Sequence, residues 1–469
     1  MTMITAHRVN QHEFLTPVRL NEDVKAAQET SIALWIPIVW MLLINSRPVT
    51  EWSASRTQDW ISSTQFSEGS PVNALIFGCL IASALVLLYR RRGTVLAFMR
   101  ANGHVLLFLT FCLASILWSD HTLITIKRWI KEAGEFLVLA IVLTDRRPQA
   151  AVRRFLITPV FLLLPLSVIL IVLFPHLGTY TGVNNGQVVT YYGGVTLHKN
   201  MLGVSCLVQG LACLWFWLDA YADRTGVHRV RNLIIYGILY STAVGLILRA
   251  NSMTPLVTLL VASAFIVIGR RHLFVLPRGY LHLLIAILVI APLIIIWLDT
   301  SGVMASLLGR QASLSGRTEI WNAVLSIDIN PVLGAGFETF WLGDRLDKVW
   351  MLLGQGGERG IQEAHNGYIE LYLNLGWMGL IFLGYVLWIG YRSAINGIRT
   401  EEGDSVIRLA FIVAALIYAM AEAGFRMMGP AWILFLMGVI QVPRSQSSMG
   451  IEFRPILPGK TQTRRRILH

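Results

Sequence analysis

The stretch FLITPVFLLLPLSVILIVLF, residues 155–174, carries no charged side chain and directly follows Arg153 and Arg154. A helix needs about 20 apolar residues to cross the hydrocarbon core of a bilayer. Strands of membrane barrels alternate apolar and polar positions, which this stretch does not. It therefore predicts a membrane-spanning helix, and with it a chain that lies at least partly in lipid.

The whole chain has a composition that suits lipid. Of its 469 residues, 55% are hydrophobic and only 14% are charged, whereas soluble domains carry about 25% charged residues. The net charge of +12 comes from basic residues in short loops between apolar runs, so we expect no nucleic-acid partner. The four cysteines lie inside apolar runs without a CxxC pair, which argues against a zinc or disulfide site.

Twelve apolar runs predict about twelve transmembrane helices, here called spans 1 to 12. They are Ser31–Ile44, Val72–Tyr89, Val105–Trp118, Ile130–Thr144, Phe155–Phe174, Met201–Leu218, Leu233–Leu248, Pro255–Ile268, Leu281–Leu298, Tyr368–Tyr391, Val406–Ala421 and Ala431–Val442. Basic residues follow every even-numbered run, which places both termini in the cytoplasm under the positive-inside rule. We therefore predict an all-α, polytopic integral membrane protein.

The runs divide the chain into five segments. We expect a cytoplasmic N-terminal tail at 1–30, spans 1–9 at 31–298, a large periplasmic loop with short helices at 299–366, spans 10–12 at 367–442 and a basic cytoplasmic tail at 443–469. The N-terminal tail lacks the pattern of a cleaved signal peptide. Loops as long as the periplasmic one are commonly functional, and we predict a helix over Arg317–Ile327 within it.

Cations on the predicted outer side mark a candidate site, because the positive-inside rule predicts few of them there. Such groups near headgroup depth can bind a phosphate or pyrophosphate. The candidates are Lys127, Arg128, Lys199, Arg249, Arg317 and Arg426. Simpler interpretations stay open: Arg426 could pair with Glu422, four positions earlier on one helix face, and Arg249 could extend to lipid headgroups.

His365 is the candidate acid–base residue. It lies at the outer end of span 10 in the stretch EAHNGY, residues 363–368. If the helix includes it, His365, Tyr368 and Tyr372 share a face. Histidine titrates near neutral pH and can act as a general base; the alternative is an interfacial histidine that bonds to water. The sequence has no HExxH motif and no complete phosphate loop, so we expect neither a metal nor an ATP site.

Four groups of motifs follow one another along the chain. They are LWS (117–119) with Arg128 downstream, LHKNMLG (197–203), GRTEIW (316–321) with NPVLGAGF (330–337), and AHNGY (364–368) leading to LGWMGL (375–380). Together they resemble the O-antigen ligase and polysaccharide polymerase superfamily, and the first two resemble most closely its exopolysaccharide polymerase branch. The resemblance implies a GT-C-like membrane glycosyltransferase of about twelve helices, with the large loop between spans 9 and 10.

The resemblance also implies a reaction. A bacterial inner-membrane enzyme would move a glycan from an undecaprenyl-pyrophosphate donor to a sugar hydroxyl at the periplasmic face, without metal or other cofactor. Polymerisation of exopolysaccharide or O-antigen repeat units is the first expectation, and ligation to lipid A core is the alternative. A transporter or flippase is a further alternative, because about twelve helices are common in transporters. Implied partners are the lipid-linked oligosaccharide, an acceptor glycan or glycolipid, membrane lipids, and chain-length regulators or export proteins.

Residue roles follow from the same resemblance. Arg317 and His365 match the essential arginine and histidine of the family. Arg249 stands where another family arginine lies, although the residues around it depart from the usual Ser-Arg pattern. The arginines would stabilise the charge that develops on the leaving pyrophosphate, and His365 would accept the proton of the acceptor hydroxyl. Glu319 or Glu363 is the alternative base.

Overall fold

The structure is a computed structural model, and it describes most of the predicted membrane region. The described residues are 31–53, 70–184, 187–224, 226–272, 317–354, 361–399 and 405–442, with isolated residues between 279 and 294. Both predicted tails, most of span 9 and the first part of the predicted periplasmic loop therefore lie outside the described residues.

Helices make up most of the described chain. They are α1 (Trp35–Ile44), α2 (Val49–Ser53), α3 (Pro71–Arg90), α4 (Arg92–Ala101), α5 (Gly103–Ala114), α6 (Thr122–Leu143), α7 (Pro148–Val172), α8 (Pro175–Gly178), α9 (Lys199–Ala222), α10 (Arg229–Arg249), α11 (Met253–His272), α12 (Arg317–Leu325), α13 (Asp344–Leu352), α14 (Gly367–Arg399), α15 (Ser405–Ala419) and α16 (Pro430–Val439). Short 3₁₀ turns precede α1 and follow α5.

The predicted helical membrane architecture is confirmed. Outside span 9, each predicted apolar run coincides with a described helix, and α12 lies where a loop helix was predicted. Helices α3, α7, α9, α10, α11 and α14 are long and apolar enough to cross a membrane. Helices α4 and α5 qualify as a pair that is bent by 83°. The count of twelve spans and the orientation of the chain remain predictions.

A two-stranded hairpin corrects the all-α prediction. Strands β1 (Thr179–Asn184) and β2 (Gln187–Tyr192) pair antiparallel, with Tyr180 opposite Tyr191. Threonine, valine and tyrosine on both sides of an Asn-Gly dipeptide favour such a hairpin, but a search for long apolar runs passes over it. The buried Arg47 holds both ends of the hairpin by donating to the carbonyl oxygens of Leu177 (2.7 Å) and Gly194 (2.6 Å).

Helix α9 lies inside the bundle and packs against α7, α10 and α11. At its C-terminal end, Asp219 forms ion pairs with both Arg153 and Arg270. On the same predicted cytoplasmic side, Arg91 pairs with the buried Asp145 at 3.2 Å. The N-terminal end of α9 points to the opposite side, where the candidate site lies.

Candidate functional site

A break in α14 organises the site. The helix is interrupted at Gly376, whose φ of 63° and ψ of −163° are not helical, and the preceding loop fills the gap. The bonds are Ala335 N–H to Leu373 O (3.0 Å), Gly336 N–H to Asn374 O (2.9 Å), Trp377 N–H to Pro331 O (2.9 Å) and Met378 N–H to Val332 O (3.1 Å). Backbone groups that a break leaves unpaired are thereby satisfied. The NPVLGAGF and LGWMGL motifs are thus two halves of one interlocked structure.

The same loop binds the LWS motif. The indole N–H of Trp118 donates to the carbonyl oxygen of Leu333 at 3.1 Å, and the Ser115 hydroxyl accepts from the amide of Phe337 at 2.9 Å. The next residue, Glu338, has a left-handed backbone with φ 56°. Such a conformation is uncommon outside glycine and is often found at functional sites. The interlock therefore fixes where the Glu338 carboxylate lies.

His365 lies just before α14 rather than on it, so its predicted shared face with Tyr368 and Tyr372 is wrong. Its φ is 50°, and the side-chain oxygen of Asn366 caps the helix by accepting from the amides of Tyr368 (3.0 Å) and Ile369 (3.1 Å). Asn366 also donates to the carbonyl oxygen of Met420 at 3.1 Å. The imidazole is therefore held against the segment between α15 and α16.

Two carboxylates meet the His365 ring. Its Nδ1 lies 3.0 Å from Oε1 of Glu363 and 3.3 Å from Oε2 of Glu422. The other oxygen of Glu422, Oε1, accepts from Nη2 of Arg317 at 3.3 Å. Glu422 therefore joins the two residues that the sequence singled out as catalytic, although 105 positions separate it from Arg317.

A second set of contacts extends this cluster. Arg426 lies 3.5 Å from Glu338 and 3.9 Å from Glu363, measured from guanidinium nitrogen to carboxylate oxygen. Arg128 donates to the backbone carbonyl of Glu338. We call Arg128, Arg317, Glu338, Glu363, His365, Glu422 and Arg426 the charged cluster.

The carboxylates set the protonation of His365. Burial opposes its charged form, but the hydrogen bonds to Glu363 and Glu422 and the negative charges of both carboxylates together raise the pKa of His365 to about 10. For Glu363, burial opposes ionisation, but the hydrogen bond from His365 and the positive charges of His365 and Arg426 together lower the pKa of the carboxyl to about 2. At neutral pH His365 is thus an imidazolium between two carboxylates, and it has no free lone pair for a proton.

His198, which the sequence did not single out, borders the cluster. Its Nδ1 accepts from the amide of Asn200 at 3.3 Å, so His198 caps α9. Burial lowers the pKa of His198, although the negative charges of Glu363 and Glu422 act to raise it. The site therefore combines a charged and a neutral imidazole.

Lys199 and Arg249 form a separate group against the hairpin. The Lys199 ammonium lies 4.7 Å from the ring centre of Tyr191. The Arg249 guanidinium lies 4.3 Å from the ring centre of Tyr192, and it donates to the Tyr192 hydroxyl at 2.7 Å. Both contacts have the geometry of cation–π pairs. No hydrogen bond or ion pair joins these two cations to the charged cluster among the described residues.

Two other residues that the sequence predicted for the site do not join the charged cluster. Lys127 is exposed on α6, and Glu319 is exposed on α12. Neither forms a hydrogen bond or ion pair with the described part of the chain.

The alternative pairing of Glu422 with Arg426 is wrong. Helix α15 ends at Ala419, so the four-residue spacing does not bring the two side chains together on one helix face. Each pairs instead with residues from another segment. Glu338 and Glu422 are the residues that sequence reasoning missed. An acidic residue at the edge of an apolar run was the available signal for Glu422.

A metal ion is the cofactor that the described cluster could hold. One ligand atom each from Glu363, His365 and Glu422 lies within 4.8 Å of the others. However, Arg426 approaches Glu363 and Arg317 approaches Glu422. A bound cation would have to displace or tolerate these guanidinium groups, and His365 would have to lose its proton.

Part of the sequence matches a known protein family. Residues 238–384 match the family model described as O-antigen ligase. The predicted resemblance to the O-antigen ligase and polymerase superfamily is confirmed. The matched segment contains Arg249, Arg317 and His365, and it ends before Glu422 and Arg426.

One curated relative supports the same superfamily. Over 144 residues the chain is 25% identical to the exopolysaccharide production protein ExoQ of Rhizobium meliloti (strain 1021). The match covers 29% of this chain and 33% of that relative. The chain thus spans about a third of the length of the curated relative that it matches.

Proposed function

We propose that the protein is a membrane glycosyltransferase that moves a glycan from an undecaprenyl-pyrophosphate donor to a sugar hydroxyl. It would act at the periplasmic face of a bacterial inner membrane and polymerise exopolysaccharide or O-antigen repeat units. The observation that carries the proposal is the charged cluster, in which Glu422 joins Arg317 to His365. The superfamily resemblance and the exopolysaccharide role in the relative's printed name support it.

The arginines of the cluster are suited to the donor. The cluster brings three guanidinium groups together: Arg317 beside Glu422, Arg426 beside Glu338 and Glu363, and Arg128 at the backbone carbonyl of Glu338. Guanidinium groups bind phosphate oxygens bidentately. As the bond between the anomeric carbon and the pyrophosphate breaks, its electron pair leaves with the phosphate oxygen. Preorganised cations at that position stabilise the developing charge.

His365 contributes to the same stabilisation. As an imidazolium it donates hydrogen bonds and carries positive charge. An anionic donor nearby favours that form further, because opposite charges raise a histidine pKa. We therefore assign His365 to the leaving group rather than to the acceptor.

Glu363 is then the proposed base. Its side chain is 34% exposed, whereas that of Glu422 is 8% exposed, so an acceptor can reach Glu363 more readily. Inverting glycosidases also use a carboxylate as the general base for the attacking oxygen. As the acceptor oxygen bonds to the anomeric carbon, its proton becomes acidic enough to pass to Glu363 even though the pKa of that carboxyl is low, and the lipid pyrophosphate departs.

We expect a smaller contribution to donor binding from three further cations, Lys199, Arg249 and Lys127. Lys199 and Arg249 lie against the hairpin, and they could meet the donor's outer phosphate or its first sugars. Lys127 is exposed, so it would act through long-range attraction of an anionic lipid rather than by direct contact.

Chain growth distinguishes the proposed polymerase from its alternatives. The purified protein is reconstituted in vesicles with an undecaprenyl-pyrophosphate oligosaccharide, and glycan length is followed by electrophoresis. A ladder without added acceptor supports the polymerase, and transfer only onto added lipid A core supports a ligase. Movement of the donor across the bilayer without cleavage of its glycosidic bond would contradict both.

A further inference from the structure

The charged cluster lies on the predicted outer side. On the predicted cytoplasmic side, an apolar groove lies between the end of α3 and α4. Its volume is about 600 Å³, and the apolar side chains that line it include Leu85, Val86, Leu96 and Met99. Leu85 and Val86 are more than half exposed. The groove therefore opens outward, towards the surroundings of the bundle.

Two arginines stand at one end of this groove. Arg90 and Arg92 line it, are exposed, and form no ion pair or hydrogen bond with the described residues. Arg91 between them behaves differently: it donates to the carbonyl oxygen of Ile141 at 3.3 Å and pairs with Asp145 at 3.2 Å. The middle arginine is thus fixed against α6, whereas its two neighbours have no such partner among the described residues.

The position of α4 fits the surface of a bilayer. The helix begins directly after α3, and it is bent by 83° from the helix that follows. Its buried Phe98 packs against Phe136 of α6, with ring centres 5.5 Å apart. If the next helix crosses the bilayer, α4 lies nearly in the membrane plane, as interfacial helices do. Tyr89 beside it is 74% exposed, and tyrosine is enriched at that depth.

We propose that this groove binds one anionic phospholipid, with an acyl chain along Leu85, Val86 and Leu96 and the headgroup phosphate between Arg90 and Arg92. The apolar lining matches the chain, and the two available guanidiniums match the phosphate. Anionic lipids of the cytoplasmic leaflet are attracted to basic residues just inside a membrane-spanning helix. This site is independent of the proposed glycosyl transfer.

Arg100 offers a matched control. It is exposed in the last turn of the same helix but does not line the groove. General attraction to an anionic surface would depend equally on Arg90, Arg92 and Arg100, whereas a groove site depends only on Arg90 and Arg92.

Native mass spectrometry tests the site. The full-length protein is released from mixed micelles that contain equal amounts of phosphatidylglycerol and phosphatidylcholine, and the retained lipids are counted. We expect wild type and Arg100→Gln to retain one phosphatidylglycerol preferentially. Each of Arg90→Gln and Arg92→Gln should weaken that preference roughly fivefold, and the double variant should weaken it further.

Two results would overturn the proposal. One is an unchanged preference in the double variant, and the other is an equal loss in Arg100→Gln. Thermal unfolding in phosphatidylcholine alone should be the same for all variants, because neither groove arginine forms an ion pair or hydrogen bond with a described residue. If the double variant unfolds early there, the two single variants decide the question.

Discussion

Nδ1 of His365 lies 3.3 Å from Oε2 of Glu422, although 57 residues separate the two in the chain. Glu422 reaches Arg317 with its other oxygen at 3.3 Å. One carboxylate thereby orients both a guanidinium and an imidazolium.

Replacing Arg317 should remove most of the activity. Arg317→Ala deletes a guanidinium that stabilises the leaving pyrophosphate, and we expect kcat for glycan transfer to fall about 100-fold or more. Arg317→Lys should recover little, because an ammonium cannot bind in a bidentate manner. Lys348→Ala is the control, since Lys348 is an exposed cation between the same spans. Similar rates in Arg317→Ala and Lys348→Ala would remove Arg317 from the site.

The pH dependence of the glycan-transfer rate should follow from the shifted pKa values of His365 and Glu363. The active form has His365 protonated, with a pKa of about 10, and Glu363 ionised, with a pKa of about 2. The rate should therefore be flat from about pH 5 to about pH 8 and fall as pH rises towards 10. If His365 were the base, the rate would instead increase as pH rises through its pKa. The pH profile of kcat/KM makes the distinction.

The variant Glu422→Gln tests what sets that profile. It removes one of the two carboxylates that raise the pKa of His365, so the alkaline fall should move to lower pH. It also frees Arg317 from its carboxylate partner. An alkaline fall that stays in place would show that Glu422 does not control the proton of His365.

The break in α14 should resist substitution. A Cβ at Gly376 would overlap the backbone of Val332, and the φ of 63° is unfavourable for alanine. Gly376→Ala should lower the free energy of unfolding by at least about 1–3 kcal/mol and reduce the midpoint of thermal unfolding in detergent. Gly384→Ala, in the same helix and with no atom within 4 Å of the added Cβ, should leave the midpoint unchanged or raise it. Equal midpoints for the two variants would contradict the interlock.

The hairpin cations should contribute less than the charged cluster. Lys199 and Arg249 contact Tyr191 and Tyr192 rather than the carboxylates near His365. We expect Lys199→Ala and Arg249→Ala to raise KM for the donor several-fold while kcat stays within about threefold of wild type. Steady-state kinetics at varied donor concentration separate the two constants. A loss of kcat as large as in Arg317→Ala would move these cations into the charged cluster.

Much of the fold was predictable because a membrane imposes one constraint. Each backbone polar group in lipid needs a partner within its own segment, so long apolar runs such as 155–174 become helices. The hairpin at Thr179–Tyr192 was not predicted, because its sequence pattern is short and a search for long apolar runs does not detect it. The count of spans depends on runs whose ends the sequence leaves open.

The site was predictable only in part. The motifs pointed to Arg317 and His365, but motifs cannot show which carboxylates lie beside them. Glu422 follows the end of α15 and Glu338 follows the interlock, so their positions depend on long-range packing. The protonation of His365 depends on both Glu363 and Glu422, and the choice of base therefore needed the three-dimensional arrangement.

The most direct measurement follows free undecaprenyl pyrophosphate. The wild-type protein and Arg317→Ala are reconstituted in matched vesicles with an undecaprenyl-pyrophosphate oligosaccharide, and the released lipid pyrophosphate is quantified with the new glycosidic bonds. The proposed function predicts one released lipid per bond formed by wild type, and almost none by Arg317→Ala. Bond formation without lipid release, or equal release by both proteins, would contradict it.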